Sequence, residues 1–134
     1  MGTRCLTIIL DGSDILCNIY RQFDGYPEGH GVEIAKFLKD YRLVNGLGMK
    51  DVKVFNGMGC LAAAVVAELK DGPGGIYLYP PRARDVGEEF IYEIFIVNGT
   101  VTMKVRDMWY DKLIFTGKPA DFYVEFKREV PDVG

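Results

Sequence analysis

The chain has 134 residues, of which 49% are apolar and 26% charged, and its formal net charge is −3 at pH 7. This length predicts a single domain, residues 1–134, with enough apolar side chains for a hydrophobic core. The acidic balance argues against nonspecific binding of duplex nucleic acid, and no apolar run approaches the ~20 residues of a membrane span.

The first predicted element is a β-hairpin. Residues 4–10 and 15–23 are mostly apolar, β-branched or aromatic, and an Asp-Gly-Ser-Asp turn separates them. A turn centred on the Gly-Ser pair gives the register of the two strands. That register pairs Leu10 with Ile15, Ile8 with Cys17, Leu6 with Ile19 and Arg4 with Arg21. Two arginines opposite each other repel unless an anion lies between them.

Two helices are predicted in the middle of the chain. Residues 25–31 are rich in glycine and proline and predict a loop. Residues 32–41 carry their apolar side chains on one stripe and predict the first helix. Residues 45–59 predict a glycine-rich loop with a short strand at 52–55. Residues 58–69 are apolar almost all round, so we expect a central helix buried against the sheet.

The second half of the chain predicts β-structure. Strands are predicted at residues 76–79, 89–97, 100–106, 112–116 and 122–126. Asn98-Gly99 between two of them is a strong hairpin signal, and residues 80–85 form a proline-rich loop. The predicted fold class is α+β, with a mainly antiparallel sheet and two helices packed on one face.

The end of the first hairpin carries the first candidate site. Arg4, Arg21, Asp24 and Tyr26 lie close together in the predicted hairpin and its following loop. Guanidinium groups recognise phosphate or carboxylate with two parallel hydrogen bonds, and aromatic faces stack on bases. An alternative remains open, in which Asp24 pairs with an arginine to close the loop while Phe23 and Tyr26 join the core.

The loop at residues 80–85 carries the second candidate site. It places Arg82 and Arg84 after Tyr79 and a Pro-Pro pair, and a stiff loop loses less entropy on binding than a flexible one. We expect this loop to meet the first candidate site at one mouth of the fold. The alternative is a solvated connection whose arginines pair with Asp85, Glu88 and Glu89.

Residues 56–59, Asn-Gly-Met-Gly, lead into the second predicted helix. Backbone amides at a helix start attract anions, and glycine lets a phosphate approach them. The spacing matches neither a P-loop nor a dinucleotide fingerprint. Tight packing of the helix start is the simpler explanation for the glycines, and we prefer it.

Catalysis and metal binding have few candidate residues. His30 is the only histidine, and a general base needs an oriented partner, for which Asp24 or Glu28 is near in sequence. A lone histidine in a glycine loop is more often a hydrogen-bonding or helix-capping residue than a catalytic one. We group His30 with the ligand-binding candidates. The odd number of cysteines without Cys-x-x-Cys spacing predicts buried free thiols in a reducing cytoplasm, with no metal and no cofactor. These cysteines are Cys5, Cys17 and Cys60.

Two blocks of the sequence resemble a family of small phage and prophage proteins. The first comprises Met1-Gly2-Thr3-Arg4 and Tyr20-Arg21-Gln22-Phe23-Asp24-Gly25-Tyr26-Pro27-Glu28-Gly29-His30-Gly31. Members of that family open with Met-Gly-Thr-Arg and carry a Tyr-x-Gln-Trp/Phe-Asp-Gly-Tyr-Pro-x-Gly-x-Gly segment. The second block, residues 56–63, 72–75 and 79–80, is similar to the same kind of protein. The resemblance implies a viral protein in the cytosol of a bacterial host.

The resemblance and the two arginine loops together favour a phage anti-defence function. Some small phage proteins sequester nucleotide immune signals, such as cyclic oligonucleotides or cyclic ADP-ribose relatives, and they are typically homo-oligomers. By analogy we expect a non-enzymatic binding protein for a small nucleotide-like anion. Its predicted ligand-binding residues are Arg4, Arg21, Asp24, Tyr26, His30, Tyr79, Arg82 and Arg84. The alternatives are a module that inhibits a host protein through the same rim, and a nucleotide hydrolase that uses His30.

Overall fold

A computed structural model of the chain describes residues 2–44 and 54–127. The strands are β1 (Cys5–Asp11), β2 (Asp14–Arg21), β3 (Arg42–Val44), β4 (Val54–Asn56), β5 (Ile76–Tyr79), β6 (Phe90–Val97), β7 (Thr100–Asp107) and β8 (Lys112–Gly117). The helices are α1 (Val32–Leu38), α2 (Gly57–Leu69) and α3 (Pro119–Phe126), and a π-helical turn at Pro27–Gly31 precedes α1. None of the helices in these residues is long and apolar enough to cross a membrane.

Six strands form one mixed sheet in the order β5-β2-β1-β6-β7-β8. All neighbouring pairs are antiparallel except β1 and β6, which run parallel. Strands β3 and β4 form a separate parallel pair. The predicted α+β class with a mainly antiparallel sheet is confirmed, and the described part contains three helices, of which α1 and α3 pack together.

Strand β1 is central and buried on both faces. Cys5, Thr7 and Ile9 face the helices, while Leu6 and Ile8 point to the opposite face and have exposures of 0% and 1%. The connection from β5 to β6 covers that opposite face. Because these two strands run in the same direction, residues 80–89 must return along the length of the sheet. The loop predicted at residues 80–85 is therefore the first part of a crossover.

Hydrogen bonds at both ends hold this crossover against the sheet. The Asn18 Nδ2 group on β2 donates to the carbonyl oxygens of Pro80 and Ala83, each at 3.1 Å. At the other end, the Glu89 amide donates to the Arg4 carbonyl oxygen at 2.8 Å. Asn18 is buried, so its two bonds attach the start of the crossover to β2.

The hairpin of β1 and β2 exists, but its predicted register is wrong beyond the turn. Leu10 lies opposite Ile15 as expected, and then an irregularity between Ile9 and Leu10 shifts the pairing by one residue. Cys5, and not Arg4, therefore lies opposite Arg21. The unpaired residue is a β-bulge, which bends and twists the strand that carries it. The predicted repulsion between Arg4 and Arg21 across the ladder does not exist.

Residues 122–126 were expected to form a strand and instead belong to α3. Pro119 stands at the helix start, where its fixed φ favours a helix and its missing N–H costs nothing. Phe122 and Phe126 are four residues apart, so a helix puts them on one face, where their rings stack at 4.4 Å. Phe122 is completely buried among the core residues beneath the sheet.

The other predicted elements need smaller corrections. The first helix ends at Leu38, and residues 25–31 include the π-helical turn, which was expected to be irregular. Helix α2 buries only one face, so it is not the fully buried central helix that its composition suggested. Met58, Leu61, Ala62, Val65 and Leu69 are buried, whereas Cys60 and Ala63 are exposed. The strand expected at 52–55 is observed at Val54–Asn56, and residues 45–53 of the predicted loop lie outside the described residues.

Candidate functional site

A cavity of about 810 Å³ opens at the end of the sheet where β1 begins and β2 ends. It lies on the sheet face opposite the helices, because Tyr20, which lines it, points away from them. The cavity is lined by residues 2–4, by Tyr20, Gln22 and Phe23, by residues 87–89, and by Met108 and Trp109. Four separate segments of the chain therefore converge on it.

Arg4 is the cationic side chain of this cavity. Its guanidinium group lies against the backbone of Gly87, where a Cβ atom would come within 2.7 Å of Nη1 and 2.8 Å of Cζ. Gly87 also has a φ of 87°, which favours glycine. Arg4 is exposed, and within residues 2–44 and 54–127 its guanidinium has no carboxylate or carbonyl partner. Its five donors are thus available to a ligand.

Aromatic rings surround Arg4. Phe23 is 51% exposed and Trp109, the only tryptophan of the chain, is 79% exposed. Tyr20 is buried and stacks on Tyr79 with ring centroids 4.7 Å apart. The Asp107 carboxylate accepts hydrogen bonds from the Trp109 and Tyr110 amides at 2.9 Å and 3.2 Å, which fixes the turn that carries the tryptophan.

Two glutamates also line the cavity, and they differ in their bonding. The Glu88 carboxylate accepts the amides of Val86 at 2.8 Å and Asp85 at 3.2 Å, so it stabilises the end of the crossover. The Glu89 carboxylate has no such partner in the described part of the chain. The cavity therefore offers one guanidinium donor group, one carboxylate acceptor group and exposed rings.

Arg21 lies on the other face of the sheet in a partly buried hydrogen-bond network. Its Nη1 donates to Glu33 Oε1 at 2.9 Å and to His30 Nδ1 at 3.1 Å, and its Nε donates to the Phe23 carbonyl oxygen at 2.7 Å. Because a guanidinium only donates, His30 Nδ1 accepts and Nε2 carries the proton. His30 Nε2 then donates to Thr7 Oγ1 at 2.6 Å.

His30 is held neutral in this network. Its exposure is 0%, and burial, together with the positive charge of Arg21, lowers its pKa to about 3. Both ring nitrogens are bonded to protein groups, and the ring packs edge-on against Tyr92 with centroids 4.8 Å apart. His30 is thus placed to tie the loop after β2 to the centre of the sheet.

Two further buried groups, Tyr92 and Cys5, lie next to the same loop. The Tyr92 hydroxyl donates to the Gly25 carbonyl oxygen at 2.7 Å. Burial raises the pKa of Tyr92 and raises that of the Cys5 thiol to about 12. Neither group ionises at neutral pH, so neither provides a nucleophile or a base there. The thiol prediction holds for Cys5, but Cys17 is half-buried and Cys60 is exposed, which corrects the expectation that all three are buried.

The predicted site residues divide between the two faces of the sheet. Arg4 lines the cavity, and Tyr79 stacks on Tyr20, which also lines it. Arg21 and His30 lie on the helix side of the sheet. Asp24 is exposed with a φ of 61°, and its carbonyl oxygen accepts the His30 amide. Tyr26 is half-buried outside the cavity lining.

The arginines of the crossover do not reach the cavity. Arg82 and Arg84 are both exposed, and Arg84 Nη1 donates to the Ala83 carbonyl oxygen at 2.7 Å. It is the far end of the crossover, residues 87–89, that meets the first loop. The ion pairs proposed as alternatives for these two loops are not observed among the described residues. Arg21 pairs with Glu33 and not with Asp24. Glu88 accepts backbone amides and does not pair with Arg82 or Arg84.

Sequence reasoning missed Phe23, Glu89, Met108 and Trp109 as cavity residues. Trp109 left a signal, since a single tryptophan in a polar turn between two strands has no place in a core. A Cβ atom at Gly57 or Gly59 would meet no atom within 4 Å, so tight packing of the helix start does not explain these glycines. Gly57 has a φ of 82°, a backbone conformation that favours glycine. In the described residues, no three His, Cys, Asp or Glu side chains gather as metal ligands.

Comparison of the chain with protein-family models, with curated proteins and with solved structures found no match.

Proposed function

We propose that this protein binds a small nucleotide-like anion without converting it, as a phage-type anti-defence protein in the bacterial cytosol. The ligand class is a cyclic oligonucleotide or a cyclic ADP-ribose relative. One observation carries the proposal: the unpaired Arg4 guanidinium lies among exposed aromatic rings in a cavity of about 810 Å³. Small-molecule sites commonly have volumes of about 300–1,000 Å³.

Each free group of the cavity matches a part of such a ligand. The Arg4 guanidinium would donate to a phosphate, because its planar fork fits two phosphate oxygens. The rings of Phe23 and Trp109 would stack on bases. The Glu89 carboxylate would accept a hydrogen bond from a base N–H or a ribose hydroxyl.

Binding without catalysis is supported by the state of the reactive side chains. His30 is neutral, has no exposed surface and lies on the other face of the sheet. Cys5 is buried and protonated. A hydrolase that uses His30 gains no support from this arrangement, since a general base must reach its substrate.

The described residues of a single chain supply one free arginine to the cavity, whereas cyclic oligonucleotides carry at least two phosphates. The predicted homo-oligomer forms part of the proposal, because a second copy would bring a second Arg4 to a shared or neighbouring ligand. Arg82 and Arg84 are removed from the proposed contact set, since they lie outside the cavity lining.

Isothermal titration calorimetry with cyclic dinucleotides, cyclic trinucleotides and cyclic ADP-ribose isomers tests the proposal. We expect one ligand class to bind, and Arg4→Met to weaken that binding by ~10- to 100-fold through loss of a charge-assisted contact. Trp109→Ala should weaken it by a similar factor through loss of stacking. The matched control is Arg82→Met, an exposed arginine outside the cavity, which should bind as the wild type does.

Mass spectrometry of the ligand recovered after incubation separates capture from turnover. An unchanged ligand mass is expected. Titrations that are flat for every ligand of the panel, or equal losses in the Arg4 and Arg82 variants, would refute the proposal.

A second candidate function is inhibition of a host protein through the same rim. The observation in its favour is the adjacent pair Trp109 and Tyr110, with exposures of 79% and 75%. Tryptophan and tyrosine are frequent anchors of protein interfaces. Under this alternative, a Tyr110→Ala variant loses capture of a defined host protein while all nucleotide titrations remain flat.

A further inference from the structure

The two edges of the six-stranded sheet are built differently. Strand β8 at one edge carries Lys112, and its pairing with β7 contains an irregularity. Strand β5 at the other edge is Ile-Tyr-Leu-Tyr, without a charge, and Leu78 and Tyr77 are 62% and 44% exposed. Charged residues and bulges are the usual means by which proteins prevent an edge strand from pairing with another chain. Strand β5 itself has neither, and the one charge that the described residues place at this edge, the Lys70 ammonium group, lies at its Ile76 end.

The backbone direction along β5 follows from its bonds to β2. The Gln22 amide donates to the Gly75 carbonyl oxygen at 2.8 Å. Because hydrogen-bonded and non-bonded pairs alternate in an antiparallel ladder, Tyr77 and Tyr79 also direct their backbone groups to β2. Ile76 and Leu78 direct theirs outward, away from the sheet.

The outward groups of Ile76 are already bonded within the chain. Its amide donates to the Gly74 carbonyl oxygen at 2.8 Å, and its carbonyl oxygen accepts the Lys70 Nζ group at 2.8 Å. Leu78 differs, because among residues 2–44 and 54–127 its strand has a neighbour on one side only. The Leu78 N–H and C=O therefore form an unpaired donor and acceptor on a strand without charged residues.

We propose that β5 is the interface of a homodimer in which two copies of β5 pair antiparallel about a two-fold axis at Leu78. One free N–H and one free C=O on the same residue are self-complementary, since each copy donates to the other. Strand β5 has no charged residue of its own, and antiparallel pairing about Leu78 puts the Lys70 groups of the two copies, each bonded to Ile76, at opposite ends of the paired strands. The two main sheets then join into one continuous sheet.

The side chains on this edge suit the same axis. Tyr77 lies opposite Tyr79 of the second copy in a non-hydrogen-bonded pair, the kind in which side chains approach most closely. Tyr79 already stacks on Tyr20 at 4.7 Å, so the aromatic row continues from one copy into the next. Ile76 lies opposite Pro80 of the second copy, where the missing proline N–H leaves no donor without a partner.

Sedimentation velocity tests the interface over a range of protein concentrations. We expect the wild type to have twice the 15.1 kDa chain mass. Leu78→Lys should yield monomers, as should Leu78→Pro, which removes an N–H that makes no bond to β2 and is tolerated at an edge. Leu113→Lys is the matched control, because Leu113 is a 43% exposed leucine on the opposite edge strand, and this variant should remain dimeric. Circular dichroism identifies any variant that fails to fold.

Cross-linking tests the register of the pairing. In a Cys60→Ser background, a two-fold axis at Leu78 brings the two Cα atoms of Leu78→Cys to about 5.5 Å. A short bismaleimide should therefore join two Leu78→Cys chains rapidly and leave Leu113→Cys chains largely unjoined. A monomeric wild type, Leu78 variants that stay dimeric, or preferential cross-linking at Leu113→Cys would each overturn the proposal.

Discussion

Mild acid should destabilise this protein through His30. The histidine has a pKa of about 3 in the folded protein and 6.5 in the unfolded chain. When the pH falls below 6.5, the unfolded chain takes up a proton that the folded protein excludes, so the equilibrium moves toward unfolding. A depressed pKa thus gives stability that is fully present above pH 6.5 and lost progressively as the pH falls toward 3.

The size of the effect follows from these two pKa values. Between pH 7 and pH 5.5 the free energy of unfolding should fall by about 1.3 kcal/mol. His30 is the only histidine, and unfolded carboxyl groups have pKa values near 4, so little else titrates in this window. At lower pH the carboxyl groups begin to contribute and the two effects mix.

Urea denaturation at pH 7.0, 6.25 and 5.5, at one protein concentration and followed by circular dichroism, measures the loss. The matched control is His30→Gln, whose amide keeps a donor for Thr7 but does not titrate. This variant should be less stable at every pH, because the Arg21 and Tyr92 contacts of the ring are lost, yet its stability should hardly change across the window. A wild type that loses less than about 0.5 kcal/mol, or a variant that loses as much as the wild type, would refute the assignment of His30 as a buried neutral group.

The packing around the same loop supports two further predictions. Gly31→Ala should lower the free energy of unfolding by about 1–3 kcal/mol in urea melts, because the new Cβ would lie 2.5 Å from Phe122 Cζ in the core. Gly59→Ala is the control, because the new Cβ meets no atom within 4 Å at this exposed helix position. This variant should be neutral or stabilise by up to about 1 kcal/mol. Tyr92→Phe removes the hydroxyl that donates to Gly25 and leaves a buried carbonyl unpaired, so thermal unfolding should reveal a loss of about 1–3 kcal/mol; an unchanged melting temperature would contradict that role for the hydroxyl.

Local signals in the sequence predicted most strands and two of the three helices. The Asn98-Gly99 turn fixes the β6–β7 hairpin because its backbone twist matches that of the flanking strands, and both strands are observed within one residue of the prediction. The fold class follows from the same local patterns. The strand predicted at residues 122–126 was wrong, because the periodicity of a short apolar run does not distinguish a strand from a helix. Pro119 was the overlooked signal.

The composition of the candidate site was partly visible in the sequence. Arg4 was identified, whereas Tyr26, the aromatic residue predicted beside it, lies outside the cavity lining, and Phe23 lines the cavity instead. The contribution of residues 87–89 was not visible, because it depends on a crossover that runs the length of the sheet before it reaches Arg4. Trp109 lies in the turn between β7 and the edge strand β8, and only the folded sheet brings this turn to the cavity.

By itself, the sequence determined the elements, the class of the fold and the presence of an arginine- and aromatic-rich strand end. Only the tertiary structure decided which side of the sheet each of those residues occupies. Side chains alternate along a strand, so the single bulge in the first hairpin transfers Arg21 to the helix side, where His30 and Glu33 bind it. Arg4 stays on the other side with Trp109. A one-residue shift in pairing separated two arginines that the sequence had placed together.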